Sequence, residues 1–157
     1  MSPVTDRKYE FCTARRADLD EIIALLSDDP LGSLREQSMA STRSDYETAF
    51  ADIEQSSDNA VLIIKLGDAV IGCAQITIIP NLTFTGAKRC QIEGVRISKE
   101  YQRRGLGKQM IAYAIDRAKN EGCKIVQLTS NNTRSDALRF YEQLGFEASH
   151  TGFKLYL

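Results

Sequence analysis

The sequence predicts a mixed α/β fold of the α+β type, in which a mixed sheet of six to seven strands carries helices on both faces. Strand-like and helix-like patterns follow one another along the chain, starting with a strand, two helices and three further strands. The dipeptide Gly67-Asp68 between two apolar runs is a hairpin signal, so the early strands are antiparallel. A later strand–helix–strand order needs a crossover, which implies a parallel pair.

The composition is that of an ordinary globular protein. The 157 residues are 43% hydrophobic and 26% charged, and the formal net charge is −1. This length suits one domain spanning residues 1–157, and we expect residues 1–8 to be flexible. A near-neutral charge argues against general nucleic-acid binding, and no apolar run or leader pattern indicates a membrane protein.

The cysteines and the single histidine argue against several kinds of site. Cys12, Cys73, Cys90 and Cys123 are widely scattered and form no C-x-x-C pair, so we expect no zinc site, redox motif or disulfide framework. His150 is the only histidine, so we expect no metal site built on histidine ligands. Small buried thiols suit a reducing compartment, so we expect a cytoplasmic protein.

The first part of the chain predicts one strand and two helices. A strand is expected at residues 10–15, and Asp18 is expected to cap a helix whose apolar residues recur on one face. Asp28-Asp29-Pro30 ends this helix, and residues 31–36 form a loop or short turn. The next helix is predicted at residues 44–55.

The remaining elements follow from the same periodicities. Two strands at residues 60–66 and 69–79 form the hairpin, and a third begins near Lys88 and pairs back antiparallel. After the following helix come a short buried strand at 125–129 and a helix that Ser135 caps. We expect one or two final strands within residues 146–157.

Residues 91–108 hold the strongest functional signal. A strand at 91–97 is followed by a turn and then by Arg103-Arg104-Gly105-Leu106-Gly107-Lys108 at the start of an amphipathic helix. The two glycines leave N–H groups uncovered at the positive end of the helix dipole, where phosphate binds well. The three basic side chains add positive charge, so the segment predicts a cradle for a phosphorylated cofactor. An ordinary helix start with basic surface residues is the alternative.

Two other nucleotide-binding loops do not fit this segment. A P-loop needs Ser or Thr after Gly107-Lys108, but Gln109 stands there. The dinucleotide pattern needs a third glycine where Met110 stands.

Two motifs resemble those of the GNAT superfamily of N-acetyltransferases. Gln102-x-x-Gly105-x-Gly107 is similar to its acyl-CoA pyrophosphate loop, Arg/Gln-x-x-Gly-x-Gly/Ala. Ala137-x-x-Phe140-Tyr141-x-x-x-Gly145-Phe146 resembles a later helix of the family. The resemblance covers nearly the whole chain, although residues 1–60 match only in outline. It implies acetyl-CoA as co-substrate and a sheet that splays open around it.

The resemblance also implies which residues hold the cofactor. Residues Arg103, Arg104, Gly105, Leu106, Gly107 and Lys108 would cradle the pyrophosphate. Backbone groups of Val95, Arg96 and Ile97 would bind the pantetheine arm as a neighbouring strand would, and the Val95 N–H could polarise the acetyl carbonyl. Alternatively, Val95 and Ile97 only face the core, and the two roles are compatible.

Two side chains are candidates for acid–base catalysis. Glu93 lies two residues before Val95, on the same strand face, and could accept the amine proton. A structural ion pair with Lys88, Arg89 or another cation is the alternative. The resemblance makes Tyr141 the acid that protonates the leaving thiolate, whereas a tyrosine on an apolar helix face is otherwise usually part of the core.

One position departs from the family pattern. Many members carry a cofactor-contacting Asn seven residues before the tyrosine, where this chain has Arg134. Asn131 or Asn132 could replace it, or Arg134 could reach a phosphate. The acceptor of family members usually sits over the first two helices and their connection, which here offers Asp28, Asp29, Arg35 and Glu36.

The sequence therefore predicts an N-acetyltransferase that moves the acetyl group of acetyl-CoA to a small primary amine by direct attack in a ternary complex. The segments Arg134-Ser135-Asp136-Ala137-x-Arg139-Phe140-Tyr141 and Ser149-His150-x-x-Phe153 are also similar to aminoalkylphosphonate N-acetyltransferases. The alternatives are a protein or peptide N-acetyltransferase and a non-catalytic acyl-CoA sensor. Dimerisation is common in the family, so the resemblance allows a homodimer.

Overall fold

A computed structural model describes residues 8–28, Leu34 and 42–157. Five strands form one sheet in the order β1-β2-β3-β4-β5: β1 Glu10–Thr13, β2 Asn59–Leu66, β3 Ala69–Ile79, β4 Arg89–Ile97 and β5 Ile125–Leu128. Four helices of nine residues or more accompany them: α1 Leu19–Ser27, α2 Arg43–Gln55, α3 Leu106–Asn120 and α4 Ser135–Gln143. The expectations for residues 1–7 and for the loop at 31–36 fall outside the described part of the chain, Leu34 excepted.

The sheet is mixed, as predicted. Strands β1 to β4 pair antiparallel, and β4 pairs with β5 in parallel across the α3 crossover. The turn between β2 and β3 is the predicted hairpin, and Gly67 adopts a positive φ of 62° there. A glycine is favoured at this turn because a side chain is strained in that region of backbone space.

Helices cover both faces of the sheet, which confirms that part of the prediction. On one face, α3 buries Leu106, Met110 and Ile111 against Ile76 and Ile92 of the strands. The other face packs against α1 and α2, whose buried residues are Leu19, Ile22, Leu25 and Phe50. The division follows from the alternation of strand side chains, because successive residues point to opposite faces.

The described residues form five strands, fewer than the predicted six to seven. Residues 146–157 were expected to hold one or two strands, but this fully described segment contains none and is exposed beyond Phe146. Its apolar residues do alternate as in a strand. A strand, however, also needs a neighbouring backbone to bond, and periodicity carries no information about that neighbour.

Asp18 does not cap α1 as predicted, although it stands at the N-cap position. Its carboxylate instead binds the backbone before the helix and a lysine of the sheet. Oδ2 accepts a hydrogen bond from the Arg15 N–H at 2.8 Å, and Oδ1 lies 2.6 Å from Nζ of Lys65. Because the side chain of Asp18 is only 8% exposed, this ion pair joins the start of α1 to β2 in a largely desolvated place.

No helix in the described ranges has the length and apolar character that crossing a membrane requires.

Candidate active site

The parallel strands β4 and β5 separate partway along the sheet. They share four register positions, from Arg89 opposite Ile125 to Ile92 opposite Leu128, where β5 ends. Strand β4 continues to Ile97 with its other edge held by β3. Within the described residues, the edge of β4 at residues 93–97 that faces away from β3 therefore has no strand partner. Backbone N–H and C=O groups on such an edge can bind a ligand in the way that a neighbouring strand would.

A β-bulge lies at this opening. The β3–β4 register shifts between Cys73 and Gln75, so that Gly94 and Val95 together stand against Ala74. Gly94 has a positive φ of 60°, which a glycine adopts without steric cost.

The bulge changes which residues share a face of β4. Ile92 is buried in the core under α3, and Val95 and Ile97 pack against the same core. Glu93 follows Ile92 in the regular part of the strand and so points to the opposite face, towards α1 and α2. The expectation that Glu93 and Val95 lie on the same face was wrong, because the extra residue at the bulge reverses the alternation after Gly94.

Glu93 is exposed, and no described residue forms an ion pair with it. The two cations named as its structural partners are engaged elsewhere. Nζ of Lys88 donates to the Glu121 carbonyl oxygen at 2.9 Å, and Arg89 donates to Gln127 at 3.3 Å and to Thr83 at 2.7 Å. The carboxylate of Glu93 thus remains available to solvent beside the open edge of β4.

The loop before α3 is built to present backbone N–H groups. Arg103 and Gly105 have positive φ values of 61° and 77°, and Arg103 adopts this uncommon conformation without being a glycine. Nε2 of Gln102 donates to the Ile97 carbonyl oxygen at 3.0 Å, which ties the loop to the end of β4. The Arg104 guanidinium lies 5.1 Å from the centre of the Tyr101 ring. Alternation of right- and left-handed residues turns successive N–H groups to one side and makes an anion-binding concavity.

The start of α3 forms one wall of the opening between the strands. Leu106 is buried and anchors the helix, whereas Arg103, Arg104, Gly105 and Lys108 are exposed. A Cβ placed on Gly107 would lie 3.4 Å from Cζ of Phe140 in α4 and 4.0 Å from Cγ1 of Ile97. Gly107 therefore faces α4 across a narrow gap at the positive end of the α3 dipole.

Tyr141 lies on the α4 side of this gap. It is half-buried and packs edge-on against Phe140 and Phe146, with ring centres 5.1 Å and 5.9 Å away. Burial raises the pKa of the Tyr141 phenol, while the guanidinium groups of Arg134 and Arg96 act in the opposite direction without cancelling the rise. The phenol is consequently protonated at neutral pH and can donate a proton.

The other predicted cofactor contacts occupy different environments. The Arg96 guanidinium donates to the Val95 carbonyl oxygen at 2.8 Å. Oδ1 of Asn131 accepts hydrogen bonds from the N–H and the hydroxyl of Thr133, at 2.9 and 2.8 Å, and so holds the turn before α4. Arg134 stands at the N-cap position of α4 and is exposed. The Arg134 guanidinium acts electrostatically on Tyr141, against the rise that burial causes in the pKa of the phenol.

Three residues of the opening were not among the predicted site residues: Gly94, Gln102 and Phe140. A glycine inside a strand pattern is a known bulge signal, so the sequence contained that hint. Gln102 belongs to the loop motif, but its hydrogen bond to Ile97 depends on the folded loop. Phe140 closes the gap only because α4 packs opposite α3.

Several known proteins are similar to this chain in sequence or in fold. Residues 19–146 match the model of the acetyltransferase (GNAT) family. A glucosamine 6-phosphate N-acetyltransferase of Trypanosoma brucei brucei is 34% identical over 86 residues, which are 55% of this chain and 56% of that protein. An aminoalkylphosphonate N-acetyltransferase of Salmonella typhimurium LT2 is 38% identical over 48 residues, 31% of each protein. The chain thus spans about half or less of the curated relatives it matches.

A solved structure is similar over almost the entire chain. A protein described as a transcriptional regulator from Bacillus halodurans C-125 has a TM-score of 0.89 and 38% sequence identity. The match covers 96% of this chain and 100% of that one.

Proposed function

Because the chain belongs to the acetyltransferase (GNAT) family, we propose that it moves the acetyl group of acetyl-CoA to the primary amine of a small molecule. The two curated relatives are named for acceptors that combine an amine with a phosphate or a phosphonate. Amines of that kind are therefore the first acceptors to test.

One observation carries the proposal: β4 and β5 separate beyond Ile92 and Leu128, directly beside the start of α3. The pantetheine arm of acetyl-CoA is an extended chain of amides, which suits an open strand edge such as that of Val95 to Ile97. Its pyrophosphate suits the helix start, with its glycines and with Arg103, Arg104 and Lys108.

The positions of Glu93 and Tyr141 support direct attack. Glu93 projects on the α1 and α2 face, whereas Tyr141 packs on the α3 side. A thioester held along the β4 edge would lie between them. The amine would approach from the Glu93 side, and the thiolate would leave towards Tyr141.

Glu93 and Tyr141 account for both protons that move in the proposed step. Glu93 accepts a proton from the amine, directly or through water, while the nitrogen bonds to the acetyl carbon. The Val95 N–H stabilises the oxyanion. The carbon–sulfur bond then breaks, and Tyr141 gives its proton to the CoA thiolate. Acetylated amine and free CoA are the products.

The acceptor is proposed to enter over α1, near Asp28. This carboxylate is already paired with Lys99, whose Nζ lies 2.9 Å from Oδ1. Asp29, Arg35 and Glu36, which the sequence offered as further acceptor contacts, lie outside the described residues.

A non-catalytic acyl-CoA sensor is the second candidate. The observation that favours it is the description of the Bacillus halodurans relative as a transcriptional regulator, at 38% identity. A sensor would keep the cofactor cradle and report its occupancy to another macromolecule. It would need neither Glu93 nor Tyr141 for chemistry.

Release of free CoA from acetyl-CoA, measured with a panel of amines, tests the proposal. The panel contains aminoalkylphosphonates, glucosamine 6-phosphate, polyamines, amino acids, aminoglycosides and lysine- or amine-terminated peptides, with a reaction lacking amine as control. We expect release that depends on a small amine. Turnover on peptides alone would favour a protein N-acetyltransferase. Acetyl-CoA binding by calorimetry without turnover on any amine would contradict the enzyme and favour the sensor.

A further inference from the structure

Four neutral polar side chains form one row across the sheet. This polar row consists of Asn59 in β2, Thr77 in β3, Gln91 in β4 and Gln127 in β5. Each of them is the register partner of the next, so the four lie at one level of the sheet. Their neighbours along the strands, such as Ile76 and Ile92, are buried under α3, so the polar row lies on the opposite face. This is also the face on which Glu93 projects.

Helices α1 and α2 cover only part of this face. They bury Val61, Ile63 and Cys73 of β2 and β3. All four members of the polar row are instead half-buried, and so is Arg89 at the start of β4. Within the described residues, part of the row is therefore a hydrogen-bonding surface that a ligand can reach.

Arg89 directs the amides of two members of the polar row. Its Nη1 donates to Oε1 of Gln127 at 3.3 Å, and Nε2 of Gln127 donates to Oε1 of Gln91 at 2.8 Å. The carboxamide oxygens of both glutamines are thus engaged. The Nε2 donors of Gln91 have no hydrogen-bond partner among the described residues, so an oxygen of a ligand can accept from them.

The charge of Arg89 has no partner of opposite sign in the described chain. Its Nη2 donates to the hydroxyl of Thr83 at 2.7 Å, and its guanidinium lies 5.5 Å from the centre of the Phe84 ring. These contacts and the Gln127 oxygen are uncharged, and Nε of Arg89 is buried without a hydrogen-bond partner. A half-buried guanidinium without a counter-charge suits a bound anion, because its donors match the oxygens of carboxylates and phosphates.

The distance between Arg89 and Glu93 limits the shape of an acceptor that reaches both. Four residues along β4 correspond to about 13 Å between the two Cα atoms. The guanidinium, however, contacts Gln127 at the level of Gln91, which is two residues from Glu93. An anion at the Arg89 guanidinium and an amine at Glu93 would thus be about 7 Å apart or more.

We propose that Arg89 is the anion-binding residue of the acceptor site, and that it selects amines whose anionic group is far from the amine. The Nε2 donors of Gln91 bind an oxygen of the part in between. The matching acceptor has a polar body, such as a ring with hydroxyl groups, between its amine and a phosphate or similar anion. An aminomethylphosphonate, with one carbon between its charged groups, is too short. This inference rests on the proposed function, because it takes the amine to be held at Glu93.

Acceptors that differ in their anionic group test the assignment. We measure kcat/KM for glucosamine 6-phosphate and glucosamine, and for aminoalkylphosphonates whose chain is lengthened from one carbon to six. The unmodified chain should prefer the phosphorylated sugar and the longer phosphonates, a test that needs no variant. Arg89→Met should lower kcat/KM for glucosamine 6-phosphate by about tenfold or more, mainly through KM, since it removes charge-assisted hydrogen bonds. It should leave kcat/KM for glucosamine nearly unchanged.

The alternative is that Arg89 only supports the segment before β4. Thr83→Val removes the hydrogen bond to that segment but keeps the charge, so it should retain the preference for the phosphorylated sugar. Arg117→Met is the matched control, because Arg117 is a half-buried arginine of α3, on the other face of the sheet. Equal losses by Arg89→Met on glucosamine and on its phosphate would indicate support alone and overturn the proposal.

Binding of glucose 6-phosphate separates this inference from the proposed function, because that compound carries the anion without the amine. Calorimetry on the full chain with CoA should show binding of glucose 6-phosphate that Arg89→Met abolishes, and no comparable binding of glucose. Such binding without turnover on any amine would support the role of Arg89 and contradict only the proposed enzyme. Turnover without a preference for anionic acceptors would overturn the role of Arg89 and leave the enzyme standing. Absence of glucose 6-phosphate binding, or binding that Arg89→Met leaves intact, would also overturn it.

Discussion

Ile92 of β4 stands opposite Leu128 of β5, and this is the last register position that the two strands share. Two residues further on, the bulge at Gly94 reverses the faces of β4. The sheet therefore opens at almost the same point at which the side chains of β4 exchange faces. As a result, the exposed Glu93, the free strand edge and the half-buried Tyr141 all border one opening, although they come from different faces and elements.

Tyr141→Phe should lower turnover by about 100-fold or more, since loss of a positioned general acid has effects of that order. The dissociation constant of acetyl-CoA should change little, because the hydroxyl is proposed to act on the leaving thiolate. Steady-state kinetics and calorimetry measure the two quantities. Tyr113→Phe is the control, since Tyr113 packs against Phe11 with ring centres 5.6 Å apart, away from the opening.

The pH dependence gives a second check on Tyr141. Burial raises its pKa above the ordinary phenol value. The catalytic proton is present below that raised pKa and is lost as the pH rises through it. Deprotonation of Tyr141 should therefore cause no fall in turnover in the neutral range. Equal turnover by Tyr141→Phe and the unmodified enzyme would remove Tyr141 from the mechanism.

Glu93→Gln should also reduce turnover by about 100-fold or more while leaving acetyl-CoA binding intact, because the amide cannot accept the amine proton. Activity should recover in part with acceptors of low amine pKa, which are already neutral at the assay pH. Glu54→Gln, on the exposed side of α2, is the matched control. Unchanged kinetics with every acceptor would show that Glu93 is not the base.

Gly107→Asp should weaken acetyl-CoA binding by about tenfold or more, which corresponds to about 1.4 kcal/mol. The substitution places a carboxylate at the positive end of α3, where the pyrophosphate is proposed to bind. Gly107→Ala should bind nearly normally, because its Cβ would meet Phe140 at an ordinary contact distance of 3.4 Å.

Asn120→Asp adds the same charge at the other end of α3 and is the charge control. Calorimetry with acetyl-CoA gives all four affinities, including that of the unmodified chain. Full affinity in Gly107→Asp would contradict the position of the cradle.

Asp18→Asn should lower the free energy of unfolding by about 2 kcal/mol at neutral pH, because it leaves Lys65 without its charged partner in a largely buried place. Burial alone would raise the pKa of Asp18, but the hydrogen bonds from Lys65 and the Arg15 N–H outweigh it and lower the pKa.

The sign of the pH dependence follows from that lowered pKa. The stabilisation is present above the pKa of the unfolded carboxyl and is lost as the pH falls through the lower folded pKa. Urea unfolding between neutral and acidic pH should therefore show a steeper loss for the unmodified chain than for Asp18→Asn. Asp52→Asn, on exposed α2, serves as control. Parallel pH profiles would refute the role of this ion pair.

The thiols of the native chain should fall into two classes according to how fast they react with Ellman's reagent. Cys73 and Cys90 are 2% and 0% exposed, and burial raises their pKa values to about 12 and about 11. Because the thiolate is the reactive form, these two should react only after unfolding, whereas the half-buried Cys12 and Cys123 react first. Mass spectrometry of the modified peptides assigns the sites, and rapid labelling of Cys90 would contradict the packing under α3.

Much of the fold was predictable because local patterns carry it. The 3.6-residue period placed α1, α2 and α3, and the Gly67-Asp68 turn identified the hairpin of β2 and β3. These signals depend on neighbours in the sequence, so long-range contacts do not alter them. The strand number was overestimated for the opposite reason: residues 153–157 have the strand pattern, but a strand also needs a paired neighbour, and they pair with no strand in the described structure.

The candidate site also has one part that the sequence predicted and another that only the folded structure shows. The sequence by itself determined the segment on which the proposed site rests, because glycines and basic residues before a helix at residues 102–108 favour anion binding. Only the tertiary structure decided the face on which Glu93 lies, the use of Asp18 as an ion-pair partner, and the opening between β4 and β5. Each of these depends on strand register and on contacts between residues far apart in the chain, which local periodicity does not specify.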